Sequence, residues 1–423
     1  MPVPKRVVIV GGSLAGLFHG LYLKRHGSRV VVIEQDPGSV RSSHQAGIAF
    51  GPAVEEILRQ YDDTGMQSCT PAVGTRIAYR RRQNVKEINV VRHLTSWGLL
   101  YRILRANFDG LASEAVPNPP PPRDGDGPAE YRSGQRVTSL RLDQTGAVTV
   151  GFIDPAGVEG SVTADLVIGA DGVHSTVRDL VHAPATGVEY SGYVAWRGTV
   201  CESALPPEVA AYFAPRTSLN FLRDTYIVTY AIPPSTGTFT PGTRLINWVW
   251  YLNIPPSSPS LIATLTDTTG HVHANTVPSH LTNTTIFHHH LAEHLPSMPP
   301  PFATLLSSTP HPFVTKINDA RTDAAVFLDG RVVLVGDSLA AFRPHFAVAT
   351  EQAARHCLGL GRVWDGEGGA TLEGWEREAV GYGERMWLAS RLLGAFGLGR
   401  WGEFWGLLGR WVVGFVRGLV RGY

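Results

Sequence analysis

The sequence predicts an α/β fold in which a mainly parallel sheet is interleaved with an antiparallel sheet and followed by C-terminal helices. The first observation is a set of short β-branched runs, such as Val7–Val10, that end in glycine turns and are typical of strands buried on both faces. The second is the stretch 186–315, where β-branched and aromatic residues alternate between turn clusters. The third is an amphipathic pattern that begins at Trp401.

The composition indicates a large globular protein with a small-molecule partner. The chain has 423 residues, 43% of them hydrophobic, which is enough to bury a core in more than one domain. A net charge of +1 gives no reason to expect nucleic-acid binding. Three cysteines without paired spacing, and a first core strand that starts too early for a signal peptide, predict a reducing, cytoplasmic location.

The first 34 residues form a predicted βαβ unit. Val7–Val10 and Arg29–Ile33 are the strands, Gly11–Gly16 is a glycine turn that opens a helix, and Glu34 ends the second strand. This is the Rossmann-type arrangement, in which a helix N-terminus holds a pyrophosphate and the carboxylate accepts from ribose hydroxyls. Ser13 replaces the middle glycine of the usual pattern, although its hydroxyl can donate to a phosphate. A plain turn is the alternative, but the acid favours FAD or NAD.

Two later segments repeat the theme of a buried strand that ends in glycine and aspartate. Ala164–Gly172 contains Asp171, and Ser175 and Arg178 follow on a predicted helix. Gly330–Asp337 contains a second strand with its aspartate at the carboxyl end. Parallel sheets bind their ligands at that edge.

With these three motifs in this order, the sequence resembles the class A flavoprotein aromatic hydroxylases, the family of p-hydroxybenzoate and salicylate hydroxylases. Four further strings resemble the 2,6-dihydroxypyridine 3-monooxygenase branch and its fungal relatives: Thr95–Arg102, Gly192–Gly198, Asn247–Tyr251 and Phe342–His345. The resemblance implies a Rossmann-type FAD-binding domain with an interleaved antiparallel-sheet substrate domain. It also implies a set of FAD-binding residues: Gly11, Gly12, Ser13, Leu14, Ala15, Gly16, Glu34, Gln35, Gln45, Ala46, Gly47, Arg102, Val137, Asp171, Gly336, Asp337, Pro344, Ala347 and Val348.

The implied chemistry is that of an FAD-dependent monooxygenase. NAD(P)H, a transient reductant, reduces the flavin, and oxygen then gives a flavin hydroperoxide that hydroxylates a small aromatic or N-heterocyclic substrate, in keeping with a role in secondary metabolism. His345 is the candidate base and Arg343 the candidate ligand for an anionic group, with a backbone-bonded loop histidine as the alternative. A helix over Thr350–Leu358 is expected to point its N-terminus at the flavin. The alternatives are an oxidase or epoxidase of the same fold in a biosynthetic pathway, or a flavin-binding protein without catalysis.

The sequence departs from the family pattern at two places near the flavin. Ser338–Ala341 replaces the usual Ala-Ala-His, and Phe346–Thr350 replaces a Gly-x-Gly segment. Leu252 stands where the dihydroxypyridine branch is expected to carry a charge, so substrate identity stays open.

The predicted domains are an FAD-binding domain at 1–185 with a flexible Pro-rich insertion at 117–128, a substrate domain at 186–315, the second part of the FAD-binding domain at 316–390, and a helical tail at 391–423. On a helix, the tail would place Glu403, Arg410, Arg417 and Arg421 opposite a face with Trp405. Packing on its own domain is the simplest expectation, and contact with a membrane surface or a partner is the alternative. His288–His290 is expected at the surface, without a metal.

Overall fold

The computed structural model describes residues 2–38, 46–79, 86–214 and 216–421. Its strands are β1 (Arg6–Val10), β2 (Arg29–Ile33), β3 (Gly47–Phe50), β4 (Thr70–Tyr79), β5 (Lys86–Ser96), β6 (Ala129–Arg132), β7 (Arg136–Leu142), β8 (Val148–Ile153), β9 (Glu159–Ala164), β10 (Leu166–Gly169), β11 (Ala185–Cys201), β12 (Thr217–Phe221), β13 (Thr225–Ile232), β14 (Leu245–Asn253), β15 (Thr276–Val277), β16 (Phe313–Thr322), β17 (Val326–Phe327), β18 (Val332–Leu334) and β19 (Ala340–Ala341).

The α-helices account for most of the remaining regular structure of these residues, beside a few short 3-10 turns. They are α1 (Leu14–Arg25), α2 (Pro52–Tyr61), α3 (Trp97–Asp109), α4 (Thr176–Leu180), α5 (Pro207–Phe213), α6 (Pro259–Leu265), α7 (Thr284–His294), α8 (Pro300–Ser307), α9 (Ala349–Asp365), α10 (Leu372–Gly397) and α11 (Trp401–Arg421).

A mainly parallel sheet forms the first layer and has the order β17-β18-β10-β1-β2-β6. β1 lies between β2 and β10, with Val7 opposite both Val30 and Leu166. The β-branched runs are buried on both faces, as continuous apolar strands of a parallel sheet should be. The carboxyl ends of β1, β10 and β18 therefore lie side by side, and each runs into one of the three glycine motifs.

A large, mostly antiparallel sheet lies beside it, with the order β15-β16-β11-β14-β13-β12-β4-β5-β3. The predicted α/β class with an antiparallel sheet is confirmed. The segment 186–315 supplies only part of this sheet, since β12 pairs in parallel with β4 and so brings in strands from residues 47–96. β16 also runs across the boundary at 315, and α10 across the one at 390. The division into domains stays a prediction.

Two smaller expectations differ from the structure. The segment 117–128 is held against the protein, because Asp126 forms a buried 2.5 Å ion pair with Arg25 and Arg123 pairs with Asp63. His290 is buried, not at the surface, because α7 turns it toward the sheet, where its Nδ1 accepts from the indole of Trp196 at 3.1 Å. No helix in the described part of the chain is both long and apolar enough to cross a membrane.

Candidate active site

The glycine turn packs tightly against the end of β10. Gly11 has φ +102°, and a Cβ there would lie 2.4 Å from the carbonyl oxygen of Ala170. A Cβ on Gly16 would lie 2.0 Å from the carbonyl oxygen of Gly11. Ser13 precedes α1, and its hydroxyl makes no capping bond to the helix. The first-turn N–H groups of α1 therefore lack this cap, which suits an anion such as a pyrophosphate.

Glu34 joins the glycine turn to the end of β2. Its carboxylate accepts from the backbone N–H of Gly12 at 2.8 Å and of Asp36 at 2.9 Å. A cavity of about 210 Å³ lies beside it. The predicted residues that line this cavity are Gly11, Ser13, Glu34, Gln35, Val137 and Asp171, and those that the sequence did not indicate include Arg136, His174 and Thr176.

Asp171 and Arg178 connect the second motif to the third. The carboxylate of Asp171 accepts from the Ser175 hydroxyl at 2.5 Å and from a backbone N–H of α4. Burial raises the pKa of Asp171, and the bond from Ser175 opposes that rise. Arg178 donates to the carbonyl oxygens of Val173 at 2.7 Å and Ser338 at 3.2 Å, which fixes the two turns against each other.

The Gly336-Asp337 turn lies directly against α1. Gly336 has φ +59°, and a Cβ there would come within 3.1 Å of the Ala15 methyl group. Asp337 lines a second cavity of about 170 Å³, and no hydrogen bond to its carboxylate is formed by the residues described. Burial raises the pKa of Asp337 to about 6. A half-buried carboxylate that faces a cavity is suited to accept bonds from hydroxyl groups of a ligand.

Six of the predicted site residues line this second cavity. Gly47, Asp337, Arg343, Pro344, Ala347 and Val348 line it. Ala347 has φ +54°, a left-handed conformation that normally favours glycine, so the loop keeps a glycine-like backbone without the glycine. α9 begins at Ala349, one residue before the predicted start, and continues past the predicted end to Asp365. Its first turn faces the same cavity through Ala349 and Thr350.

His345 and Arg343 lie in this loop, but their side chains are already engaged. Both ring nitrogens of His345 bond to tyrosines, Nε2 to the Tyr193 hydroxyl at 2.6 Å and Nδ1 to that of Tyr226. Burial, with Arg343 nearby, lowers the pKa of His345 well below its ordinary value. Arg343 is buried and ion-paired with Asp319 at 2.6 Å and Glu403 at 3.2 Å. These contacts support a neutral imidazole and a positioning role for Arg343, and the catalytic roles stay predictions.

Arg197 is the cationic residue that sequence reasoning missed at this cavity. It lines the cavity beside Tyr230 and Tyr251, and its buried Nε has no hydrogen-bond partner among the described residues. Its charge opposes the rise in pKa that burial causes at both tyrosines. The Trp-Arg-Gly string around it carried the only sequence signal, and strand alternation could not say which face it would occupy.

The remaining predicted residues lie outside both cavity linings. Gly12, Leu14, Ala15 and Gly16 form the turn and the start of α1. Ala46 accepts from the backbone N–H of Trp97, and Arg102 donates to the carbonyl oxygen of Ser235 at 2.5 Å. Gln45 lies outside the described residues.

Comparison with known proteins agrees with this geometry. A family model described as an FAD binding domain matches residues 5–78, and one described as FAD binding domain-like matches 190–319. The 2,6-dihydroxypyridine 3-monooxygenase of Paenarthrobacter nicotinovorans is 28% identical over 392 residues, covering 90% of this chain and 89% of that protein. The solved structure of 2,6-dihydroxypyridine-3-hydroxylase from Arthrobacter nicotinovorans superposes with a TM-score of 0.77 at 26% identity, covering 94% of each chain. Over about nine-tenths of its length, the chain is similar to a class A flavin-dependent aromatic hydroxylase.

Two further hydroxylases match a shorter part of the chain or superpose less closely. Hispidin-3-hydroxylase of Neonothopanus nambi is 30% identical over 207 residues, which is 48% of this chain and 45% of that protein. A salicylate hydroxylase substrate complex has a TM-score of 0.64 at 19% identity, covering 93% of this chain and 89% of that one, and shows the shared fold.

The residues present fit the FAD of this family. The first cavity, with Glu34, would hold the adenosine end, the uncapped start of α1 would face the pyrophosphate, and Asp337 would accept from the ribityl chain. Ala15 lies against Gly336, so the first turn of α1 contacts the turn that carries Asp337. Its FAD-binding domain and its similarity to named monooxygenases identify the chain as a flavin-dependent monooxygenase.

Proposed function

We propose that this protein uses NAD(P)H and O2 to hydroxylate an aromatic ring in a cavity next to the flavin site. The observation that carries the proposal is a third cavity, of about 430 Å³. Its lining overlaps that of the second cavity, the one lined by Asp337, which is the flavin-end cavity. Six residues line both: Ala49, Tyr230, Val249, Tyr251, Pro344 and Ala347. A ring in the larger cavity would therefore contact the same side chains as the flavin.

The larger cavity favours a mostly apolar ring system over a small polar heterocycle. Aliphatic and aromatic side chains dominate its lining: Ile77, Ile88, Leu94, Leu219, Phe221, Val228, Leu393 and Phe396. Arg92 also lines this cavity, but its guanidinium already donates to the carbonyl oxygen of Phe346 at 2.8 Å, which leaves fewer of its N–H groups for a ligand. Burial of such a ring away from water contributes roughly 25 cal/mol per Å² of apolar area.

Arg197 gives this site a means to activate a phenol-like substrate. When bound, FAD supplies the redox chemistry. A hydroxyl group of the substrate that lies near Tyr230 and Tyr251 would be close to the Arg197 guanidinium. A nearby cation stabilises the ionised hydroxyl and lowers its pKa, which makes the ring richer in electrons. The apolar walls exclude water from the reacting atoms.

The function is tested first by the flavin spectrum of the purified protein. NADH or NADPH is added anaerobically and air is readmitted, with 2,6-dihydroxypyridine, salicylate or 1-naphthol present, and incorporation of ¹⁸O from ¹⁸O2 into the product is measured. We expect flavin bands that bleach faster with a ring compound that fits, and a labelled product. Hydrogen peroxide without labelled product from every compound would contradict the proposed monooxygenation. A colourless protein that cannot take up FAD would contradict the cofactor assignment.

Leu219 offers a test of the substrate cavity that spares the flavin. Its side chain lines the larger cavity and not the flavin-end cavity. Leu219→Trp should keep the flavin bands and lose the stimulation of NAD(P)H oxidation by ring compounds at least tenfold, whereas Leu219→Met conserves volume and should keep it. Equal stimulation in the two variants would place the substrate elsewhere.

A further inference from the structure

The helix α11 carries apolar side chains that the protein does not cover. Trp405 is 63% exposed, Val412 46% and Trp401 43%. Their spacing of four and seven residues places them on one face of the helix. Leu407, in contrast, is buried. The expectation that the tail packs on its own domain therefore holds for one side of α11 and leaves the Trp401/Trp405/Val412 face in solvent.

The sequence of the tail shows what kind of surface would complement this face. Phe415 and Leu419 continue the same apolar spacing. The charged residues that follow Glu403 are Arg410, Arg417 and Arg421, and no acidic residue follows it. Tryptophan together with arginine on a helix of strong amphipathic character is typical of segments that lie in the headgroup region of a bilayer.

We propose that α11 docks with its Trp401/Trp405/Val412 face on an anionic lipid surface. A lipid surface is favoured over a second copy of the chain because the charges of the tail are nearly all positive, so two tails would repel each other, whereas anionic headgroups attract them. Tryptophan rings suit the boundary between acyl chains and water because they combine an apolar body with an N–H donor.

The proposed lipid contact lies close to the larger cavity. Leu393 and Phe396, near the end of α10, line that cavity. The ring of Phe396 lies 5.8 Å from that of Trp401, between centroids. Glu403 of α11 also pairs with Arg343, beside His345. If α11 docks, the wall of the larger cavity would therefore lie near the acyl chains of the bilayer, where apolar compounds dissolve. Docking itself does not depend on this proximity.

The test is flotation of the full-length FAD-loaded protein with vesicles of phosphatidylcholine, alone or mixed with phosphatidylglycerol. We expect flotation with the mixed vesicles that weakens as salt rises. Trp405→Glu with Val412→Glu should abolish it, and Arg410→Gln should weaken vesicle affinity about fivefold. Val158→Glu is the matched control, since Val158 is 61% exposed between β8 and β9, and this variant should float like the parent protein.

Two outcomes would overturn the proposal. The protein could remain unbound with every vesicle composition while its flavin spectrum is intact. Alternatively, light scattering could show a dimer in the absence of lipid that Trp405→Glu with Val412→Glu dissociates, in which case a second copy covers the face. Vesicle binding is measured without turnover, so failure here is distinct from failure of the proposed hydroxylation.

Discussion

The buried carboxylate of Asp319 should be a major source of stability for the loop that carries His345. Asp319 is 2% exposed and accepts from Arg343 at 2.6 Å, from Arg391 at 3.1 Å and from the indole of Trp387 at 3.3 Å. Asp319→Asn removes the charge and leaves Arg343 buried with Glu403 alone at 3.2 Å. Breaking one partner of a buried ion pair costs about 3–5 kcal/mol, because the remaining charge stays desolvated.

This free energy translates into a modest but measurable shift in melting temperature. An unfolding entropy of about 2.1 cal/mol/K per residue gives about 0.9 kcal/mol/K for 423 residues, so the midpoint should fall by about 4 °C. The assay is a thermal melt of the FAD-loaded protein, followed by circular dichroism and flavin fluorescence. Asp323→Asn is the matched control, because Asp323 pairs with Arg321 at 2.8 Å but is 67% exposed, and an exposed pair contributes at most about 1 kcal/mol. If the two variants melt within a degree of each other, the reasoning about Asp319 is refuted.

Three further predictions address the cofactor site and pH. Burial raises the pKa of Asp337 to about 6, and FAD hydroxyl groups bond to its ionised form. The Kd of the parent protein for FAD should therefore rise up to about tenfold per pH unit below pH 6. Asp337→Asn should flatten this pH dependence. Titration of each apoprotein with FAD at several pH values measures the Kd. The same dependence of Kd on pH in the parent protein and in Asp337→Asn would contradict the prediction. Gly16→Ala should prevent FAD retention, because its Cβ would meet the Gly11 carbonyl oxygen at 2.0 Å, whereas Gly406→Ala, with nothing within 4 Å, should retain the flavin absorbance of the parent. Burial lowers the pKa of His19 to about 4, because the folded protein favours the neutral ring. The free energy of unfolding should therefore be unaffected by this group above pH 6.5 and should fall by up to about 3 kcal/mol as the pH drops toward 4. His19→Leu should flatten the melting temperature across that range, and an unchanged slope would argue against this source of acid sensitivity.

The cofactor half of the site could be read from the sequence because its signals are local. A β-branched run, a glycine turn and an acid lie within a few residues of one another at Glu34, Asp171 and Asp337. Parallel strands place such ends at one edge of the sheet without any knowledge of distant contacts. The structure accordingly brings these three carboxylates to the linings of the two cofactor cavities.

The substrate half could not be read in the same way because it depends on pairing between distant strands. Arg343 looked available for a ligand, but its partners Asp319 and Glu403 come from β16 and α11. Arg197 could not be predicted as a site residue from the sequence. Side chains alternate between the two faces of β11, and only the register of β11 against β14 and β16 decides which of them line the flavin-end cavity. The burial of His290 likewise depends on how α7 lies against Trp196.

The strand order of the parallel sheet also constrains how the chain acquires its fold during synthesis. β1 pairs with β10, and β10 with β18, so neighbours in space are separated by more than 150 residues in sequence. A nascent chain can pair β1 with β2 early, but the other edge of β1 stays open until Leu166–Gly169 leaves the ribosome. Such high contact order slows folding and leaves an apolar strand edge available for wrong pairing. Asp337 arrives later still, so the pocket for the cofactor is complete only when most of the polypeptide has been made, and loading with FAD is a late event in the life of this chain.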